Sequence, residues 1–257
     1  MKIIQSLQRA IQILNLFSLN TPSLGISEIS RLLDINKGTV QGLVKTLFSE
    51  GFLLQDEETR KYRLGVKLYE LGITSVGSME INLRSSSPAH DLAKRTGHLI
   101  RVAIFDKNSA FVTLDAYPRS EPFLFRQIGP RTPLYCTALG RAILAFLNQD
   151  EFETYFQQTE LIPYTSNTIT KKKELLKELE ATRERGYAIN REEHIFGRAA
   201  VGAPIFGRQK KLCAAACLVG NPKKILGKNM EPLAEQIKQT TLEISMNMGY
   251  FPEPVIT

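Results

Sequence analysis

Between Asn36 and Gly51 the apolar residues Val40, Leu43, Val44 and Leu47 fall at i, i+3, i+4 and i+7, the single buried stripe of an α-helix. Asn36 is placed to cap its first turn, and Gly51 offers a left-handed stop. A helix with one apolar face needs partners, and the preceding residues supply them. Over residues 5–17, Leu7, Ile11, Leu14 and Phe17 recur at helical spacing up to the turn-forming Asn20-Thr21-Pro22. Ser27 then precedes Ile29, Leu32 and Leu33, and its hydroxyl is expected to cap a short second helix that stops by Asp34. After Gly51, residues 52–55 and 60–64 flank the polar turn Asp56-Glu57-Glu58-Thr59, the pattern of a hairpin. Three helices and a hairpin within about 65 residues outline a winged helix-turn-helix.

With its buried face assigned, the third helix exposes Lys37, Gly38, Thr39, Gln41, Gly42 and Lys45, and no acidic residue follows until Glu50. Such a surface suits the major groove, where Gln and Thr read base edges and lysines reach phosphates. In the hairpin, alternation places Tyr62 and Leu64 on one face and Lys61 and Arg63 on the other, so the two cations are expected to straddle the DNA backbone. Net charge carries less weight than placement. The whole chain is +7, but the first 66 residues hold eight Lys or Arg against six Asp or Glu, a footprint of only +2.

The rest of the 257 residues reads as a second domain that alternates strands and helices. Residues 66–83 are expected to form a linker helix, and Ser87-Pro88 resembles an N-cap and first helical position, opening a further helix through Thr96. Residues 99–105 and 110–116 form a hairpin around Asp106-Lys107-Asn108, and 123–127 reads as another strand. Helices are expected at 137–147, at 171–185 closed by Gly186, and at 230–248. Residues 199–206 and 212–219 bracket the turn 207–211. The pattern is α+β with an antiparallel sheet. No apolar run approaches the roughly 18 residues that a membrane span requires, and the N-terminus lacks a signal pattern, which favours a soluble cytoplasmic protein. Cys136, Cys213 and Cys217 are odd in number and lack Cys-x-x-Cys spacing, so neither disulfides nor zinc are expected. His90, His98 and His194 form no ligand motif, and the glycines form no phosphate loop; no cofactor or metal is implied.

Several stretches resemble one known family. Ser6-Leu7-Gln8-Arg9-Ala10-Ile11-Gln12-Ile13-Leu14, Ile26-Ser27-Glu28-Ile29-Ser30-Arg31, Lys37-Gly38-Thr39-Val40, Glu50-Gly51-Phe52 and Tyr62-Arg63-Leu64-Gly65 resemble the DNA-binding half of IclR-type transcriptional regulators. Thr137-Ala138-Leu139-Gly140-Arg141-Ala142, Arg185-Gly186-Tyr187-Ala188 and Glu192-Glu193-His194 with Gly197 resemble its effector-binding half. The resemblance covers nearly the whole chain. It implies a winged helix-turn-helix over 1–66, a linker helix over 67–84 and an effector-binding domain with a profilin-like or GAF-like sheet over 85–257, assembling as a homodimer or homotetramer on a palindromic double-stranded operator. DNA contacts then fall on Ser27, Lys37, Gly38, Thr39, Gln41, Lys45, Lys61 and Arg63. In one departure from the family, Gly42 follows Gln41 where an Arg is common, which removes a cation and costs roughly 1 kcal/mol of helix propensity.

The family also implies a small-molecule effector, often a carboxylate held between the backbone at the Thr-Ala-Leu-Gly helix start and side chains of later strands. The matching positions are Ala138, Leu139, Asn190 where an Asp is common, Ala200 where a Cys occurs, and Cys217 and Val219 where serines occur. The pocket has lost polar groups. Arg101 stands where His or Asn is frequent, and its fork can take a carboxylate bidentately. The expected ligand is a bulkier, partly apolar organic acid, aromatic ones included, with Arg101 as charge partner unless it points to solvent or pairs with a nearby carboxylate. Two alternatives stand beside this reading. One is a ligand-binding or protein-interaction module without DNA binding, and the other a thiol enzyme with Cys136 as nucleophile and His194 as base.

Overall fold

The computed structural model describes residues 3–118 and 131–252. The expected strand at 123–127 lies outside the described residues. The chain divides between Gly77 and Ser78 into two compact units.

The first unit opens with helices α1 (Gln5–Asn15), α2 (Ile26–Leu33) and α3 (Lys37–Ser49). Ile13, Phe17, Leu24, Ile29, Val40, Val44, Leu47 and Leu53 form its core. Asp34 adopts the left-handed conformation (φ 53°) that ends α2, and Asn36 Oδ1 accepts the Gly38 N–H at 2.8 Å to start α3. The α2 start corrects the expected cap. The helix begins at Ile26, Gly25 is the N-cap, and Ser27 is an exposed residue in the first turn. The Glu28 carboxylate reaches back to accept the Gly25 N–H at 2.7 Å, which satisfies the donor expected to need Ser27. Strands β1 (Leu53–Gln55) and β2 (Tyr62–Leu64) form the wing, with Leu54 opposite Arg63. Its inner face is held by Tyr62, which bridges to Leu24 and meets Phe48 edge-on.

Two helices replace the expected linker helix of 66–83 and its successor. Helix α4 (Val66–Ser78) ends before Met79, whose extended backbone (φ −69°, ψ 119°) precedes α5 (Glu80–Thr96). Ser87 does not start a helix; its hydroxyl faces Asp91 at 3.4 Å, and Pro88 lies inside α5. An interior proline costs about 3 kcal/mol. Ile81, Ser85, Pro88 and Leu92 nevertheless make one buried stripe at helical spacing, and burying residues such as Ile81 and Leu92, about 1.5–3 kcal/mol each, outweighs that penalty.

In the second unit, β3 (Leu99–Asp106), β4 (Ser109–Ala116), β5 (Arg131–Pro133), β6 (Ala188–Arg191), β7 (Ala199–Phe206) and β8 (Leu212–Gly220) pair antiparallel in the order β5-β4-β3-β8-β7-β6. One face packs on α5 and α10 (Met230–Asn247) through Ile100, Val102, Val201, Leu218, Leu233 and Ile237. The other carries α6 (Ala138–Leu144), α7 (Gln149–Gln158) and α8 (Lys172–Arg185) over Ala103, Ala215 and Cys217. α9 (Pro222–Ile225) links β8 to α10. The sequence pattern had shown neither α7 nor β6. Among the described residues, no helix is long and apolar enough to cross a membrane.

Candidate functional site

On α3 the stripe of Val40, Val44 and Leu47 is buried, and Lys37, Gly38, Thr39, Gln41, Gly42 and Lys45 are all exposed. A Cβ built at Gly42 meets nothing within 4 Å, so the front of the helix is unobstructed there. The wing differs from its expected form. Lys61 Nζ lies 3.1 Å from Glu28, so this cation is tied back to α2, while Arg63 is exposed with no ion pair among the described residues. Glu28 is held below the usual carboxylate range first by the Gly25 N–H bond and then by Lys61. Ser27 is exposed on α2, away from its expected capping role.

In the second unit the strand register decides which residues meet. Arg101 lies opposite Asp115 on β4 and opposite Cys217 on β8. One pleat along, Leu99 pairs with Val219, Val219 with Ala200, and Ala200 with Asn190. These neighbouring rows lie on the face covered by α6. Gly202 has no side chain, and a Cβ there would come within 3.1 Å of the Ala138 backbone, so α6 begins directly against the sheet. Gly140 has the same function on the opposite side: its Cβ would lie 2.3 Å from Leu134 Cα. Thr137 Oγ1 caps α6 by accepting the Gly140 N–H at 2.9 Å.

The result is a cavity of about 50 Å³ lined by all seven residues expected to hold an effector: Arg101, Ala138, Leu139, Asn190, Ala200, Cys217 and Val219. Two of the seven are already engaged. The Arg101 guanidinium binds both oxygens of Asp115, at 2.8 and 3.2 Å, so a neighbouring carboxylate claims the expected charge partner. Asn190 donates to the Cys136 carbonyl at 2.6 Å and accepts the Glu193 N–H at 3.2 Å; its amide shapes the wall.

Four further polar residues line the same cavity that were not among the expected effector contacts: Arg198, Thr132, Thr137 and His194. Arg198 has no ion pair among the described residues. Thr132 Oγ1 is buried without a hydrogen-bond partner among the described residues, a condition that costs about 1–3 kcal/mol. His194 packs edge-on to Tyr164 at 4.9 Å, and burial, then Arg101, lowers its pKa. Arg198 immediately precedes β7 and His194 sits in a recognised motif, but no periodicity orients either side chain. Thr132 belongs to a three-residue strand too short to show alternation.

Behind the cavity, Arg141 is fully buried. It donates to the Tyr135 and Ile189 carbonyls and forms a two-pronged pair with Glu193, its Nη1 2.7 Å from Oε1 and its Nη2 on Oε2. Thr165 and Thr168 donate to the Glu192 and Glu193 carbonyls, fastening the segment beyond α7 onto this wall. Burial pushes the Cys136 thiol up to about 12, which disfavours the thiolate that the alternative with Cys136 as nucleophile requires.

Comparison with known proteins agrees with both halves. A family model described as the IclR helix-turn-helix domain matches residues 6–57, and one described as bacterial transcriptional regulator IclR C-terminal matches residues 73–246. The HTH-type transcriptional regulator XynR of Escherichia coli (strain K12) is 32% identical, over 97% of this chain and 99% of its own length. Among solved structures, the Thermotoga maritima IclR superposes with a TM-score of 0.77 at 29% identity, covering 96% of this chain and 99% of that one. An IclR homolog complexed with 4-hydroxybenzoate, from Microbacterium hydrocarbonoxydans, shares the fold with a TM-score of 0.79 at 20% identity, over 95% of this chain and 98% of the other. The chain belongs to the IclR family, transcriptional regulators that join a helix-turn-helix domain to a C-terminal effector-binding domain.

Proposed function

We propose that this regulator binds a two-fold symmetric DNA operator as a homodimer and releases or engages it in response to a small organic acid. The reading segment is 1–66, the sensing segment 85–257, and residues 67–84 connect them. On DNA, the exposed front of α3 (Lys37, Gly38, Thr39, Gln41 and Lys45) enters the major groove, Ser27 faces the backbone from α2, and Arg63 reaches a phosphate from the wing. Lys61 contributes by steadying the wing through Glu28.

The observation that carries the effector reading is Arg198, a cation lining a largely apolar cavity with no acidic partner among the described residues. Ala138, Leu139, Ala200, Cys217 and Val219 supply the apolar wall, and Arg101 and Asn190 frame it. The 4-hydroxybenzoate bound by a protein of the same fold is in keeping with an acid of this kind.

Dimerisation is supported by two exposed apolar stripes in the first unit: Ile4, Leu7 and Ile11 along α1, and Val66, Tyr69, Ile73 and Val76 along α4. Both have helical spacing, and a self-complementary surface suits a palindrome. The test is gel-shift titration with DNA upstream of the neighbouring genes, over a salt series and with or without acid. Arg63→Ala is expected to reduce the slope of log affinity against log salt by about 1. Absence of salt-dependent DNA binding would favour a protein-interaction module.

A further inference from the structure

We propose that the cavity selects acids bearing one negative charge together with a hydrogen-bonding substituent. Arg198 is the charge partner, Thr132 receives the substituent, and Asp115 withholds Arg101 from the ligand. This rests on the organic-acid reading above and sharpens it to a charge and a shape.

The charge count is the first support. Both oxygens of Asp115 are bound by the Nε and Nη2 atoms of Arg101, so that edge of the guanidinium is filled and its charge is compensated. The two residues sit directly opposite each other on adjacent strands, and Arg101 is held in place by burial, with its side chain 9% exposed. His194 is kept largely neutral by its surroundings. Arg198 is therefore the cation left uncompensated among the described lining residues. A second carboxylate on the ligand would face Ala138, Leu139, Ala200 and Val219, where a charge without a partner is strongly disfavoured, or would have to displace Asp115 from Arg101.

Thr132 is the second, independent support. Its hydroxyl is more than nine-tenths buried, lines the cavity and lacks a hydrogen-bond partner among the described residues, whereas the Thr137 hydroxyl nearby is satisfied by Pro133 and Gly140. A site holding an unpaired hydroxyl favours a ligand with a group to meet it over an isostere without one. The modest volume, about 50 Å³, adds a preference for compact acids.

The experiment is isothermal titration of the full chain with two matched series: butanoate, 3-hydroxybutanoate and succinate, and benzoate, 4-hydroxybenzoate and terephthalate. In the series that fits the cavity, the wild-type protein is expected to bind the hydroxy acid most tightly and the dicarboxylate at least about tenfold more weakly than the plain monoacid. Thr132→Val should erase the advantage of the hydroxy acid while leaving the plain acid within about threefold. Arg198→Ala should lose at least about tenfold for every monoacid, with Arg198→Lys recovering part of it. Asp115→Asn, by freeing the Arg101 fork, should raise dicarboxylate affinity, a gain that mere structural damage does not produce. Dicarboxylates that match or exceed monoacids in the wild type, or an Arg198→Ala protein with full monoacid affinity, overturn this inference and leave the organic-acid reading standing. Absence of binding by every acid in both series overturns both.

Discussion

Arg141 and Glu193 bring opposite charges together where water is excluded, and the balance of such a pair depends on keeping both members. Glu193→Ala is expected to destabilise the protein by about 3–5 kcal/mol in chemical denaturation, because it strands a buried guanidinium. The double variant Arg141→Met with Glu193→Leu should lie closer to wild type than the single one. Gly140 sets a different limit, since an added methyl would collide with the Leu134 and Pro133 backbone. Gly140→Ala is therefore expected to cost about 1–3 kcal/mol or more and to weaken effector binding along with stability, read by thermal shift with and without acid. His194 has a depressed pKa in the folded state. Its contribution to stability is thus complete above the unfolded value of about 6.5 and is lost as pH falls through the lower folded value. An NMR titration should place the His194 ring resonances below 6.5, and His194→Gln should flatten the acid limb of stability.

Among elements, α3 shows how local and tertiary signals agree. Its stripe, its Asn36 cap and its Gly51 stop were all legible, because each is a short-range property of spacing and backbone conformation. The start of α2 was misread by two residues because Ser27 and Glu28 offer rival ways to cap, and only the fold shows that the carboxylate reaches Gly25. Likewise Ser87-Pro88 carries a sound initiation signal that the stripe of α5 overrides. The cavity residues, Cys217 and Val219 of β8 among them, were legible through the resemblance to the family, position by position, rather than through spacing. Arg101 was placed in the right cavity, but the cross-strand partner Asp115 is 14 residues away, and no spacing rule fixes the register that joins them. On α3, Gly42 is open to solvent. Gly42→Ala is expected to stabilise the protein by about 0.5–1 kcal/mol, and Gly42→Arg to steepen the salt dependence of DNA binding by about 1 unit.

At the scale of the whole molecule, two compact units each have a core of their own, and the exposed stripes on α1 and α4 belong to the first. If these stripes hold the dimer together, Tyr69→Glu with Ile73→Asp should shift the sedimentation-equilibrium mass toward that of one chain and weaken operator binding. Isolated residues 78–257, which keep the whole of α5, should keep acid affinity. A ligand shifts DNA occupancy only by as much as it prefers one arrangement of the assembly over another. The architecture of the second unit also separates frame from lining. Arg141, Asn190, Gly140 and Gly202 fix where the cavity lies, while Ala200, Cys217 and Val219 present little more than small side chains to its interior. Such a receptor can be retuned as a biosensor: libraries at positions 200, 217 and 219 can alter which compound switches transcription, while the scaffold that transmits the response stays untouched.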